Sequence, residues 1–136
     1  MTVKRIVANF SMASSSVDET QIKAFYQQVF GLGIAMDLGW IFTFVADHAD
    51  EKISDQAKAQ QNQFSNQPQL SFASEGGNGT EVPDISIEVD DVDEVYRKAV
   101  DFGSEVVYGL CDEPWGVRRF FVRDPLGKTL NIMSHL

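Results

Sequence analysis

Apolar positions along this chain change their period several times, and each change marks an element. Val3 to Phe10 is mostly apolar after Lys4-Arg5 and reads as a strand. Ser14-Ser15-Ser16 reads as a loop, and Ser16 with Glu19 has the spacing of a capping box, in which a hydroxyl and a carboxylate satisfy free N–H groups. Ile22, Phe25, Tyr26 and Val29 then recur at helical spacing and predict a helix with these four on its apolar face. Gly31 and Gly33 end that helix, since glycine accepts the left-handed conformation common there. Ile34 to Met36 and Trp40 to Val45 read as short strands around a turn at Asp37-Leu38-Gly39. Alternation in the second places Trp40, Phe42 and Phe44 on one face. Gln69 to Ala73 reads as a strand with Leu70 and Phe72 sharing a face.

Two stretches interrupt this order. Residues 46–67 are polar and glutamine-rich, with Ile53, Ala57 and Phe64 as sparse apolar points, and read as a long loop with one marginal helix. Glu75-Gly76-Gly77-Asn78-Gly79-Thr80 is glycine-rich without apolar anchors and reads as a linker. Beyond it the pattern restarts. Ile85 to Val89 is a strand, Asp91 with Glu94 is a second capping box, and Val92, Val95, Tyr96 and Ala99 form the apolar face of a second helix ended by Gly103. Glu105 to Tyr108, Val117 to Arg123 and Thr129 to Met133 are strands. They are separated by the turns Asp112-Glu113-Pro114-Trp115-Gly116 and Asp124-Pro125-Leu126-Gly127. The two halves share one order, β-α-β-β-β. A copy of about 65 residues buries too little apolar surface to stand alone, so the copies are expected to pair.

The expected class is therefore α+β: two βαβββ modules paired into one domain, with curved sheets enclosing a cleft. Module boundaries fall at about residues 1–74 and 83–136, with 75–82 as linker. The chain has 136 residues, 43% hydrophobic and 23% charged, which suits a globular domain. Its single cysteine, Cys111, excludes an internal disulfide and a cysteine-based zinc site. Cys111 reads as a small hydrophobe in the loop ahead of the Trp115 turn. No apolar run approaches the roughly 18 residues that span a bilayer. The N-terminus shows no secretory pattern, so a cytoplasmic location without membrane contact is expected. A net charge of −9 argues against nucleic acid as a partner, because phosphate binding needs cations. No phosphate loop and no nucleophile elbow is present.

Ala24 to Leu32, Val89-Asp90-Asp91-Val92-Asp93 and, most of all, Pro114 to Gly127 resemble the vicinal oxygen chelate group. This is the superfamily of glyoxalase I, bleomycin resistance proteins and extradiol dioxygenases. The resemblance covers nearly the whole chain, with the glutamine-rich segment the least matched. Its enzymes hold a divalent metal through His and Glu side chains from strands of both halves. The resemblance puts the corresponding positions at about Asn9, Asp84 and Asn131. Two neutral amides and one carboxylate do not offset a divalent cation, so no cofactor is expected; a divalent metal is the alternative. His48, at the start of the polar segment, and His135, next to last, read as solvated rather than ligating. Asp84, after Pro83, reads equally as a surface residue that starts a strand.

The cleft is then expected to be lined by Trp40, Phe42, Phe44, Phe72, Tyr108, Trp115, Arg118 and Phe120. Such a lining suits a planar or anionic organic ligand. The same alternation also fits plain core. Arg119 and Arg123 fall on the strand face opposite Arg118, and the carboxylates of Asp90, Asp91 and Asp93 read as helix-start residues. Three functions remain open. The first is a metal-free protein binding a small aromatic or amphipathic molecule, which the resemblance implies would be a homodimer. The second is a metal-dependent lyase or dioxygenase, and the third a dimerisation module without ligand.

Overall fold

A computed structural model describes residues 1–46 and 68–136. The expectations for the glutamine-rich stretch from residue 47 on, His48 included, lie outside the described residues. The described elements run β1 (Val3–Ser11), α1 (Glu19–Phe30), β2 (Gly33–Asp37), β3 (Ile41–Val45), β4 (Gln69–Ala73), β5 (Ile85–Val89), α2 (Val92–Phe102), β6 (Val106–Glu113), β7 (Val117–Arg123) and β8 (Thr129–His135). Strand, helix and three strands thus occur twice, and the class is α+β. The chain forms two compact units, one of residues 1–8 with 83–136 and one of residues 9–82.

In the unit of residues 1–8 and 83–136 the strand order is β1-β5-β8-β7-β6. The β5–β8 pair is parallel and the others antiparallel. The start of β1 belongs here because Val3 through Ala8 pair with Val89 through Ile85. Helix α2 covers one face: Val92, Val95, Tyr96 and Ala99, the four positions expected from periodicity, pack on Val89, Phe120, Val122 and Ile132. The Tyr96 ring meets Phe120 edge-on at 5.1 Å. Asp91 caps the helix, its carboxylate accepting from the Glu94 N–H at 3.1 Å. Gly103 closes it at φ 88°, where a β-carbon is disfavoured.

In the unit of residues 9–82 the order is β2-β3-β4, with the end of β1 beside β4. There the Met12 N–H donates to the Ala73 carbonyl at 2.7 Å. Phe42, Phe44 and Phe72 form the core, with Ile22, Tyr26, Leu32, Ile34 and Leu70 around them. Two expectations about α1 need correction. The capping box is Asp18 with Gln21, not Ser16 with Glu19: Asp18 accepts from the Thr20 N–H at 2.9 Å, and the Gln21 side chain accepts from the Asp18 N–H at 3.3 Å. A carboxylate directly before the first helical turn outcompetes a hydroxyl two residues earlier. The apolar face is also divided. Ile22 and Tyr26 pack inward, whereas Phe25 and Val29 are 51% and 59% exposed.

The glycine-rich stretch after β4 is a closed turn rather than an open tether. Gly76 N–H donates to the Thr80 carbonyl at 2.8 Å and Gly79 N–H to the Glu75 carboxylate at 3.0 Å. Strand β6 runs on to Glu113, past the expected end at Tyr108. Irregular pairing between Val106 and Cys111 absorbs extra residues and lets the ladder with β7 continue. Cys111 therefore sits in a strand, opposite Arg119, and not in a loop.

Candidate site on the helix-free sheet face

Cross-strand partners share a face, so the registers of the β5–β8–β7–β6 sheet define what lies opposite α2. One row runs Ser86, Asn131, Phe121, Tyr108, and the next Glu88, Met133, Arg119, Cys111. A third brings His135, Val117 and Glu113 into line. Arg5 on β1 extends the second row beside Glu88.

At the centre is an ion pair that is almost wholly buried. The Arg119 Nε donates to Glu113 Oε2 at 2.8 Å, a second guanidinium nitrogen lies 2.6 Å away, and the two side chains are 2% and 3% exposed. Three rings surround the guanidinium carbon: Phe121 at 4.7 Å, Trp115 at 4.8 Å and Tyr108 at 5.1 Å. The Tyr108 hydroxyl lies 3.1 Å from the same carboxylate, and the Cys111 thiol donates to it at 3.5 Å. Buried charge is costly unless paired and hydrogen-bonded, and here both carboxylate oxygens of Glu113 lie within reach of donors.

A second pair lies along the face. Arg5 Nε is 3.0 Å from Glu88 Oε1, and His135 Nε2 is 3.7 Å from Glu88 Oε2. Burial lowers the pKa of the Arg5 guanidinium, against the raising effect of Glu88. Burial likewise lowers that of His135; Glu88 opposes this, and Arg5 and Lys4 add to it. Between these pairs the Asn131 amide donates to Ser86 Oγ at 3.0 Å, and its Oδ1 is buried with no partner among the described residues. Reversing the amide would exchange which atom is unpaired without pairing both.

The expected site residues fall in different places. Tyr108 and Trp115 lie against Arg119 on this face. Phe120, at 0% exposure, lies on the opposite face under α2, and Arg118 beside it is held at 3.0 Å by both Asp93 of α2 and Asp112. Where alternation suggested cleft-lining aromatics on β3 and β4, the structure places Phe42 and Phe44, each 0% exposed, and Phe72 in the core against α1. Trp40, just before β3, is half-buried, and its carbonyl accepts from the Ser74 N–H at 2.9 Å. The opposite face of β3 and β4 carries Thr43 and Ser71, whose hydroxyls meet at 2.7 Å. Arg119, Glu113 and Phe121 were absent from the expected set. The sequence signal for Arg119 and Phe121 is the other alternation of β7, which is also apolar and Arg-bearing; Glu113, at the end of β6, lies in a stretch that reads as a turn.

Asp84 is exposed, and its carboxylate accepts from the Thr129 N–H at 2.8 Å, fastening β5 to β8. Asn9, on β1, is half-buried in the unit of residues 9–82. As a metal-ligand set these residues fit poorly: the carboxylate is engaged by backbone and the two amides carry no charge. No three His, Cys, Asp or Glu side chains converge on a common point among the described residues. No helix among the described residues is long and apolar enough to cross a membrane.

The family model of the Glyoxalase/Bleomycin resistance protein/Dioxygenase superfamily matches residues 15–132, and the chain belongs to that superfamily. No curated protein matches. Solved structures share the fold at low identity. A member of the same superfamily from Vibrio splendidus is 13% identical with a TM-score of 0.56, over 98% of this chain and 99% of that one. Methylmalonyl-CoA epimerase from Mycobacterium tuberculosis is 13% identical at a TM-score of 0.58, over 98% and 87%. A structure from Legionella pneumophila described as NAD-dependent benzaldehyde dehydrogenase is 14% identical at 0.62, over 96% and 99%. Such distant likeness carries the fold and leaves the chemistry to the site.

Proposed function

We propose that the chain is a metal-free, ligand-binding member of its superfamily. It holds a small aromatic or amphipathic molecule against the helix-free face of the β5–β8–β7–β6 sheet. The observation that carries this reading is Asn131. Its buried, unpartnered Oδ1 beside Ser86 is an acceptor that a ligand N–H or O–H would satisfy. Tyr108 and Trp115, both half-buried, supply flat apolar surface nearby. Both arginines of this face, Arg119 and Arg5, stand against carboxylates, so a neutral ligand fits better than an anion. A cytoplasmic location agrees with the single free thiol.

The test is a two-dimensional NMR titration of the full chain with naphthol and with naphthalene, which differ by one hydroxyl donor. Both probes are expected to shift signals of Ser86, Tyr108, Trp115, Phe121 and Asn131. Asn131→Ala is expected to weaken naphthol by about 10-fold while leaving naphthalene unchanged. Shifts confined to other surfaces, or an equal loss for both probes, would overturn the reading.

A further inference from the structure

Glu88 presents one carboxylate oxygen to each of two partners on the helix-free face. Arg5 Nε lies 3.0 Å from Oε1, and His135 Nε2 lies 3.7 Å from Oε2. The Glu88 side chain is 6% exposed, so a charge brought to it is poorly screened by solvent. Glu88 follows Ser86 by two residues on β5, and Met133 and then His135 follow Asn131 at the same interval on β8. The cluster therefore shares a face with the Ser86–Asn131 pair and begins about 7 Å further along the strands.

The other charged and titratable groups around His135 come from four strands. β1 brings Arg5 and the exposed Lys4, and β5 brings Glu88. On β7, Val117 lies beside His135, and Arg119 lies in the next row opposite Met133. On β6, Glu113 ends the row of His135 and Val117 and is closed on Arg119 at 2.6 Å, with the Cys111 thiol donating to it. Among these side chains the imidazole is the one whose ordinary titration falls close to neutral pH. While it is neutral, the pairs Arg5–Glu88 and Arg119–Glu113 sum to zero. One proton on His135 gives Glu88 a second cation and leaves the cluster with one positive charge in excess.

We propose that His135 sets the class of ligand this face takes: a neutral ring with a hydrogen-bond donor while the imidazole is neutral, and an aromatic carboxylate once it is protonated. This choice rests on the ligand reading given above and goes beyond it by assigning the same face a second ligand class. Asn131 suits both classes. As placed, its Oδ1 accepts from a donor-bearing ring. Turned over, the amide oxygen accepts from Ser86 and the amide offers its N–H groups to a carboxylate. Burial holds the imidazole below its ordinary 6.5, so the change of class falls on the acid side of that value.

The test is a two-dimensional NMR titration of the full chain with naphthoate and with naphthol at about pH 7.5 and about pH 5.5, following the His135 ring signals as well. Naphthoate is expected to bind about 5-fold more tightly at the lower pH, and naphthol to change by less than about 2-fold. Linkage is reciprocal, so saturating naphthoate should raise the His135 titration midpoint by about one pH unit, and naphthol should leave it in place. His135→Gln should abolish the gain for naphthoate. Glu88→Gln, which leaves Arg5 uncancelled at every pH, should bind naphthoate at about pH 7.5 as tightly as the native chain does at about pH 5.5. Equal naphthoate affinity at both pH values, an unmoved midpoint, or a gain that His135→Gln keeps would overturn the proposal while naphthol binding, and the ligand reading with it, still stands. No naphthol binding at either pH would remove both. If a variant fails to fold, the midpoint of the native chain decides.

Discussion

The two repeats have the same element order but spend their apolar and polar residues differently. Helix α2 places Val92, Val95, Tyr96 and Ala99 within an arc of about 100°, and all four pack on its sheet. Helix α1 repeats that spacing in Ile22, Phe25, Tyr26 and Val29, and Phe30 widens the stripe to about 140°, yet only Ile22 and Tyr26 pack inward while Phe25, Val29 and Phe30 stay largely exposed. Opposite the helices the contrast recurs. The sheet of residues 1–8 and 83–136 carries two pairs of opposite charges, Arg119 with Glu113 and Arg5 with Glu88. That of residues 9–82 has a neutral hydroxyl pair, Thr43 with Ser71. A shared topology fixes where faces are; the residues of each copy decide whether a face carries apolar, neutral polar or paired charged side chains.

The largest expected difference lies in those helix-free faces. Arg119→Ala strands Glu113 in a site where its side chain is 3% exposed, and should cost about 3–5 kcal/mol in denaturant unfolding. Thr43→Val removes one neutral hydroxyl from Ser71 and should cost about 1–3 kcal/mol. Equal costs would mean that the charged pair is no more demanding than the hydroxyls, and would break the comparison. The helices come next. Tyr96→Ala removes a ring packed on Phe120 and should cost about 3 kcal/mol. Phe25→Ala, measured in dilute monomer, should cost under about 0.5 kcal/mol, because its ring is half in water already. A large loss from Phe25→Ala would show that α1 is packed as α2 is.

The smallest effect is one of pH. Burial lowers the folded pKa of His135 below its ordinary value of 6.5. Below that value the unfolded chain binds more protons than the folded one. The stability His135 permits is therefore full above about pH 6.5 and is lost as pH falls toward its folded pKa. Melting curves from about pH 7.5 to about pH 5.5 should fall more steeply for the native chain than for His135→Gln. Parallel curves would mean that the imidazole by Glu88 is free to take up its proton in the folded state.

Much of the fold was legible because period alone reveals it. Gln69–Ala73, Ile85–Val89 and Val117–Arg123 have the bounds that alternation predicts. The four contact residues of α2 follow from 3.6-residue spacing. The candidate site was less legible. In Val117-Arg118-Arg119-Phe120-Phe121-Val122-Arg123 both alternations mix Arg with apolar residues. Period two says which residues share a face but not which face the helix covers. The helix took Phe120 and Val122, leaving Arg119 and Phe121 for the helix-free side. The extension of β6 was hidden by its irregular pairing around Gly109, where glycine suggests an end and the ladder continues. The split face of α1 was hidden because periodicity measures how apolar a stripe is, not how much of it a sheet can reach.

Whether the chain holds a divalent metal is tested most directly by elemental analysis of the full chain, followed by titration with Mn²⁺, Ni²⁺ and Zn²⁺. With amides at Asn9 and Asn131 and the Asp84 carboxylate held by Thr129, the expected result is no stoichiometric metal at any step. One tightly bound equivalent, lost on Asn131→Ala, Asp84→Ala or His48→Ala, would contradict it.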